Sequence, residues 1–337
     1  MKYSQLLKIG AATVRSNITG ARIPLNVMIS VTNRCPARCS YCNIPNRPQR
    51  EMSTEELISL FDQLKHLGTQ RIALWGGEPL VRDDIGFLID YARNRCGFFV
   101  SIDSNGYLLK KKWEAVRNLD VLVMSFDGPR EVQDRNREPG SFDKVMESLE
   151  WASPLMRVFT ITVLTRENLG HIDFILEQAR RCGFFTSFQL LHHTKSLASD
   201  EEDTLLPSNT EYQEAIRLLI ERKRQGYPIV STIPYLRYLL KWDDYSRPTS
   251  SVGKGLICRA AQLYCNVDTD GSVYPCSCLV EQVPAKNFLD VGFEEAFRFS
   301  SRGGCQACIA SCFNEYNLMH SLNMQVIWSW FQHTKKT

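Results

Sequence analysis

Between Asn26 and about Gly226 the chain alternates an apolar run with a helical pattern six times, and this alternation restricts the fold more than any other feature. The runs are VMISVT (27–32), RIALW (71–75), FFVSI (98–102), VLVMSF (121–126), FTITVL (159–164) and FFTSFQLL (184–191). Short strands rich in Val, Ile and Phe, with helices between them, are the pattern of a parallel sheet covered by helices. The first helix opens at Ser53 with Glu56 three residues on, a capping box. Further helices are expected after Asp83, near Lys110–Arg117, after Ser141, from Leu169 and around Glu211–Arg224. Six βα units are too few for the closed eight-unit barrel. The expected fold is therefore α/β, a partial (β/α)6 TIM-like barrel with its site at the C-terminal strand ends.

Past this region SRPTSSVGKG (246–255) is a Ser/Gly/Pro-rich joint, and a domain boundary is expected there. LYCNVDTDGSVYPC (263–276) then reads as a β-hairpin turning at Asp270-Gly271. The expected division is an N-terminal amphipathic helix (1–22), the barrel (23–245), a small α+β domain (246–315) and a C-terminal extension (316–337). In the first segment Leu6, Leu7, Ile9, Val14 and Ile18 interleave with Lys2, Lys8 and Arg15, and the last ends in VIWSWFQHTKKT. Either flank suits a membrane surface; packing on the barrel is the plainer alternative. A net charge of +3 on 40 basic and 37 acidic side chains gives no argument for nucleic-acid binding. No secretory signal stands near Met1, and no apolar run approaches the ~20 residues of a spanning helix. The expected location is cytoplasmic, with peripheral contact at the inner membrane face as the added option.

Twelve cysteines in a chain without an export signal read as metal or catalytic thiols. Cys35, Cys39 and Cys42 form one group, and seven lie between 258 and 312; Cys96 and Cys182, each beside a glycine at a helix end, read as packing residues. A structural zinc wants four ligands. Three thiolates in one short loop suit a 4Fe-4S cube with one iron left open, and a zinc loop with a distant fourth ligand is the alternative.

CxxxCxxC just after the first strand of such a barrel resembles the radical S-adenosylmethionine (SAM) superfamily, with Tyr41 as the aromatic before the last cysteine. The resemblance implies a cluster on Cys35, Cys39 and Cys42. It also implies reductive cleavage of SAM to a 5′-deoxyadenosyl radical that abstracts a substrate hydrogen. WGGEP (75–79) stands where the family places its glycine-rich SAM contact, so Gly76, Gly77 and Glu78 are expected at the methionine amino group. From SNG (104–106), Ser104 is expected at the ribose, with Asn105 beside it. MSFDGPREVQDRNR (124–137) resembles the S-x-D-G…D-x-x-R stretch, placing Ser125, Asp127 and Arg137 at the cofactor, Ser125 and Arg137 on its carboxylate.

Cys258, Cys276, Cys305 and Cys308 resemble the twitch domain, a shortened SPASM domain, and imply an auxiliary 4Fe-4S cluster in substrate binding or electron transfer. Cys265 and Cys312 are alternate ligands, and a zinc ribbon is the plain alternative for the whole group. Ser277 replaces the aspartate with which some members accept a proton, which weakens a dehydrogenase reading; Cys278 is the candidate hydrogen-atom donor. The implied substrate is a small molecule, an isoprenoid or lipid, or a peptide, and the implied electron donor a flavodoxin or ferredoxin. The N-terminal stretch LLKIGAATVRSNITGARIPL resembles the openings of members acting on isoprenoids or lipids. No extension of the kind that would bind a leader peptide precedes the first strand, which argues against a ribosomal-peptide maturase. That maturase and a carbinol dehydrogenase or epimerase stand as alternatives within the superfamily, and a non-catalytic zinc protein as the alternative outside it. His192 or His193, ending the sixth strand, is expected near the barrel mouth.

Overall fold

The protein is described by a computed structural model over residues 3–191, 197–198 and 202–334; His192 and His193 lie outside the described residues. Helix α1 (Tyr3–Thr19) leads into β1 (Asn26–Thr32). Five strands follow in parallel, each beside the last: β2 (Arg71–Gly76), β3 (Phe99–Ser104), β4 (Val121–Ser125), β5 (Val158–Leu164) and β6 (Phe185–Leu190). Between them run α2 (Thr54–His66), α3 (Ile85–Asp90), α4 (Trp113–Val116), α5 (Arg130–Asn136), α6 (Ser141–Ala152) and α7 (Ile172–Cys182). Helices α8 (Glu202–Leu205), α9 (Asn209–Arg224) and α10 (Ile233–Leu239) complete this part.

The helices form for local reasons. Ser53 and Ser208 each accept from the backbone three residues on, where Glu56 and Glu211 return the bond, so α2 and α9 start on capping boxes. In α2 the buried Leu57, Leu60, Phe61 and Leu64 fall on one face, toward Val27, Ile29 and Ile72 of the sheet. Helix α7 stops at Gly183, whose φ of 82° is left-handed. Helix α4 is shorter than the expected 110–117 because residues 107–112 are taken up by turns. Along β5, Val158, Thr160, Thr162 and Leu164 are buried under helices, whereas Phe159, Ile161 and Val163 are half-buried. That alternation marks a sheet curved around a partly open lumen.

The remaining elements are β7 (Thr249–Ser250), β8 (Tyr264–Val267), β9 (Ser272–Tyr274), β10 (Lys286–Asn287), α11 (Phe288–Val291), α12 (Phe293–Phe299), β11 (Ala307–Cys308), α13 (Ser311–His320) and α14 (Met324–Thr334). The hairpin β8–β9 turns at Asp270-Gly271, with Gly271 at φ 97°. It does not stand apart: β8 pairs in parallel with β1, Val27 opposite Cys265, and extends the barrel sheet to nine strands. Both flanks pack on the barrel. Gln5 donates to the Gly97 carbonyl at 3.0 Å, Thr13 Oγ1 and His320 Nδ1 share a 2.8 Å bond, and Asn17 donates to the His320 carbonyl at 3.0 Å. Tyr3, Leu7 and Ile18 of α1 and Trp328 of α14 stay exposed. Among the described residues no helix is long and apolar enough to cross a membrane.

Candidate functional site

The three-cysteine loop leaves the C-terminal end of β1 and is fastened along its length. Thr32 Oγ1 and the Asn33 amide donate to Glu51, at 2.5 and 2.9 Å. The Ser40 amide donates to the Asn136 carbonyl at 2.8 Å, and the Asn43 amide to Leu197 at 2.8 Å. Gly77 and Glu78 donate their amides to the Thr32 and Arg34 carbonyls, at 2.7 and 2.8 Å. A Cβ on Gly76 or Gly77 would collide with those same carbonyl groups, and Gly76 has a φ of 132°. The glycine pair was expected to admit the cofactor's amino group; in the structure it first admits the backbone of the cysteine loop.

Cys35, Cys39 and Cys42 are half-buried, and burial pushes the Cys35 thiol up to about 11 and the Cys42 thiol up to about 12. Three thiolates gathered here are costly unless a cation accepts them. Two donors already point at the sulfurs: Asn105 Nδ2 lies 3.7 Å from Cys35 Sγ and Arg137 Nη1 3.5 Å from Cys39 Sγ. Behind them Arg137 Nε donates to Asp127 at 2.9 Å and Nη2 to the Tyr41 hydroxyl at 2.6 Å, while Tyr41 donates to Asp127 at 3.0 Å. Asp127 is fully buried, and its Oδ1 has no hydrogen-bond partner among the described residues. The donor set therefore fits an iron–sulfur cluster, with an unsatisfied acceptor close by for a bound cofactor.

Two residues expected at SAM also have protein partners. Arg137 is 7% exposed and bonded to Asp127, Tyr41 and Cys39, so it braces the cysteine loop. The Ser104 hydroxyl donates to the buried Glu78 carboxylate at 2.9 Å and accepts the Gly106 amide at 3.0 Å. Glu78 also accepts from the Asn105 and Leu80 amides, at 2.7 and 3.0 Å; burial nevertheless pushes its carboxyl up to about 7. Ser125 ends β4 opposite Ile161 of β5, half-buried at the same rim.

A second group of thiols lines a small cavity made by four segments. Cys258 precedes β8, Cys276 and Cys278 follow β9, and Cys305 and Cys308 belong to the strand turn that pairs with β7. Arg302, Thr249 and Phe313 complete its wall. Cys278 was expected as a hydrogen-atom donor to substrate. Its thiol is instead fully buried in this cavity, hydrogen-bonded with Cys276 and Cys308. The alternates Cys265 and Cys312 do not line the cavity: Cys265 is buried on β8, and Cys312 opens into the barrel lumen. Among the described residues no three His, Cys, Asp or Glu side chains are close enough to hold a single metal ion. Thiols from separate segments converging on one cavity are ligands of the kind an iron–sulfur cluster takes.

Sequence reasoning missed Asn105 as a sulfur contact and the Glu51 anchor. Neither carries a local signal beyond residue type.

The family model described as Radical SAM superfamily matches residues 29–179. A PqqA peptide cyclase of Rhizobium meliloti (strain 1021) is 26% identical over 280 residues, 80% of this chain and 71% of that protein. The mycofactocin maturase MftC of Mycolicibacterium smegmatis is 27% identical over 311 residues, 86% of this chain and 76% of that protein. In structure the chain resembles Streptococcus suis SuiB bound to precursor peptide SuiA, with a TM-score of 0.65 at 14% identity over 86% of this chain and 69% of that one. It also resembles native anSMEcpe with bound AdoMet, at a TM-score of 0.63 and 18% identity over 91% of this chain and 99% of that one. Taken with the cysteine loop at the end of β1, these matches identify residues 29–179 as a radical SAM domain, of the superfamily whose enzymes use a 4Fe-4S cluster and S-adenosylmethionine.

Proposed function

We propose that Cys35, Cys39 and Cys42 hold the SAM-binding cluster and that Cys258, Cys276, Cys305 and Cys308 hold an auxiliary 4Fe-4S cluster, with Cys278 as a supporting thiol. The observation that carries this reading is the pair of separate thiol sets, one in the loop after β1 and one around the cavity beyond β9. When bound, the first cluster supplies the electron for reductive cleavage of SAM, the family's route to removing a hydrogen atom from an unactivated C–H. The chain's own part is to seat and insulate. Asn105 and Arg137 direct N–H groups at sulfur, Asp127 and Tyr41 fix the Arg137 guanidinium, and Asp127 Oδ1 offers an acceptor to the cofactor. Gly76, Gly77, Glu78, Ser104 and Ser125, at the ends of the neighbouring strands, are the further residues proposed for the cofactor.

The names of the relatives, a peptide cyclase and a maturase, make a peptide the first substrate class to test. A flavodoxin- or ferredoxin-type donor supplies the electrons. The exposed Tyr3, Leu7, Ile18 and Trp328 beside Lys8 and Arg15 support a peripheral, cytoplasmic-face membrane contact. Anaerobic reconstitution followed by iron and sulfide analysis tests the assignment. About eight irons per chain are expected, with 5′-deoxyadenosine formed under reduction. Cys35→Ala should abolish that product and leave the auxiliary iron in place. Zinc without sulfide, or undiminished product from Cys35→Ala, would contradict it.

A further inference from the structure

The lumen holds a second cavity, of about 310 Å³, at the end of the barrel away from the cysteine loop. This is the size of a small ligand pocket. Its walls are Phe99, Val121, Val123, Phe159 and Ile161, all from the N-terminal halves of β3, β4 and β5. Its floor is not part of the barrel: Leu6, Ile9 and Gly10 come from α1, and Met319, His320 and Ile327 from α13 and α14. The two flanks that the barrel does not need for closure are therefore the elements that enclose this space.

Three observations point to an occupant. Most of the wall surface is aliphatic and aromatic, with Arg71, Arg157, Glu315 and His320 among the titratable groups that reach it, so water gains little over the apolar part. Two of these groups, His320 and Glu315, are biased toward their neutral forms. Burial holds His320 down to about 4, and burial raises Glu315 to about 7 against the pull of the Thr232 amide, the Thr232 hydroxyl and Lys223. His320 is 1% exposed, its Nδ1 is bonded to Thr13, and its Nε2 has no hydrogen-bond partner among the described residues. Lastly, Gly10 lies mid-helix on the cavity rim, where an added Cβ would meet nothing within 4 Å. A glycine in a helix interior destabilises the helix relative to alanine, and no packing constraint requires it here. What it provides is an opening.

We propose that this cavity binds an apolar chain, acyl or isoprenoid, bearing one uncharged polar group, which enters beside Gly10 and sets that group against His320 Nε2. The site is separate from the cysteine pocket and does not rest on the radical assignment. The test is equilibrium binding of dodecanol and of farnesol to the reconstituted full chain, with iron content measured on the same samples. Saturable binding of either probe is expected, and the stronger one identifies the chain class. Gly10→Trp, which places a side chain in open space at the rim, should weaken it by about tenfold or more, with iron content unchanged. Ile161→Phe narrows the cavity from the strand side and should weaken binding independently, which guards against a helix defect in the first variant. Binding of neither probe, or equal binding by both variants and the parent, would overturn the proposal.

Discussion

The Arg137 guanidinium faces three partners at once, with Nε on Asp127, Nη2 on the Tyr41 hydroxyl and Nη1 toward Cys39 Sγ. Removing one member of a buried, hydrogen-bonded ion pair costs about 3–5 kcal/mol, because the other is left charged and unpaired. Arg137→Ala should therefore lower iron retention in the cysteine loop as well as SAM affinity. Arg137→Lys keeps the charge but loses the planar fork, and should fall between the two. Iron per chain and SAM binding, measured on the same preparations, check this; unchanged iron in Arg137→Ala would mean that the brace has no part in holding the loop. The residue types at this site were legible in the sequence because the chemistry needs thiols, a guanidinium and glycines at fixed offsets. Their partners were not. Whether Ser104 meets a ribose or Glu78 depends on a side chain 26 positions away, and spacing along one strand end carries no record of it.

At the level of elements, the six barrel strands lie within a residue or two of the runs that announced them, since β-branched and aromatic clusters between capped helices leave little freedom. The hairpin turn at Asp270-Gly271 was equally plain. What it docks against was not, because the free edge of β1 is 26–32 and nothing local in 264–267 names it. The short strands β7 and β11, two residues each, were also illegible, although Cys308 opposite Thr249 is what brings Cys305 and Cys308 to Cys258 and Cys276. Alanine at any of those four cysteines should remove about half the iron, since each cluster takes its ligands from its own set. Cys265→Ala, Cys278→Ala and Cys312→Ala should retain it. If Cys278→Ala loses half the iron, that thiol is a ligand in place of one of the four. The rigid support of this region makes the outcome readable: Tyr264 stacks on Phe313 at 5.2 Å and its hydroxyl lies 3.6 Å from Cys258 Sγ, so a single lost thiol leaves the wall standing.

Across the whole molecule the two thiol sets are joined by a buried clasp. Arg47, at the far end of the cysteine loop, forks onto Asp268 with bonds of 2.9 and 2.6 Å and also reaches Glu281 at 2.9 Å. Met52 adds an amide bond of 2.8 Å to the Thr269 carbonyl. Arg47→Leu should destabilise the apoprotein by about 3–5 kcal/mol, and Arg47→Leu/Asp268→Leu by less, since the double variant buries no orphan charge. Chemical denaturation of the three proteins measures this, and a double variant worse than the single would refute the clasp. The pairing of β8 with β1 acts over the same long span, and it bears on how the protein is made. The ribosome makes β1 (Asn26–Thr32) long before β8 (Tyr264–Val267). Throughout that interval one side of β1 presents bare amides and carbonyls, the kind of edge that recruits other strands. The nascent barrel thus carries a raw margin until β8 is made, and the stretch that seals it leads directly into the second set of thiols.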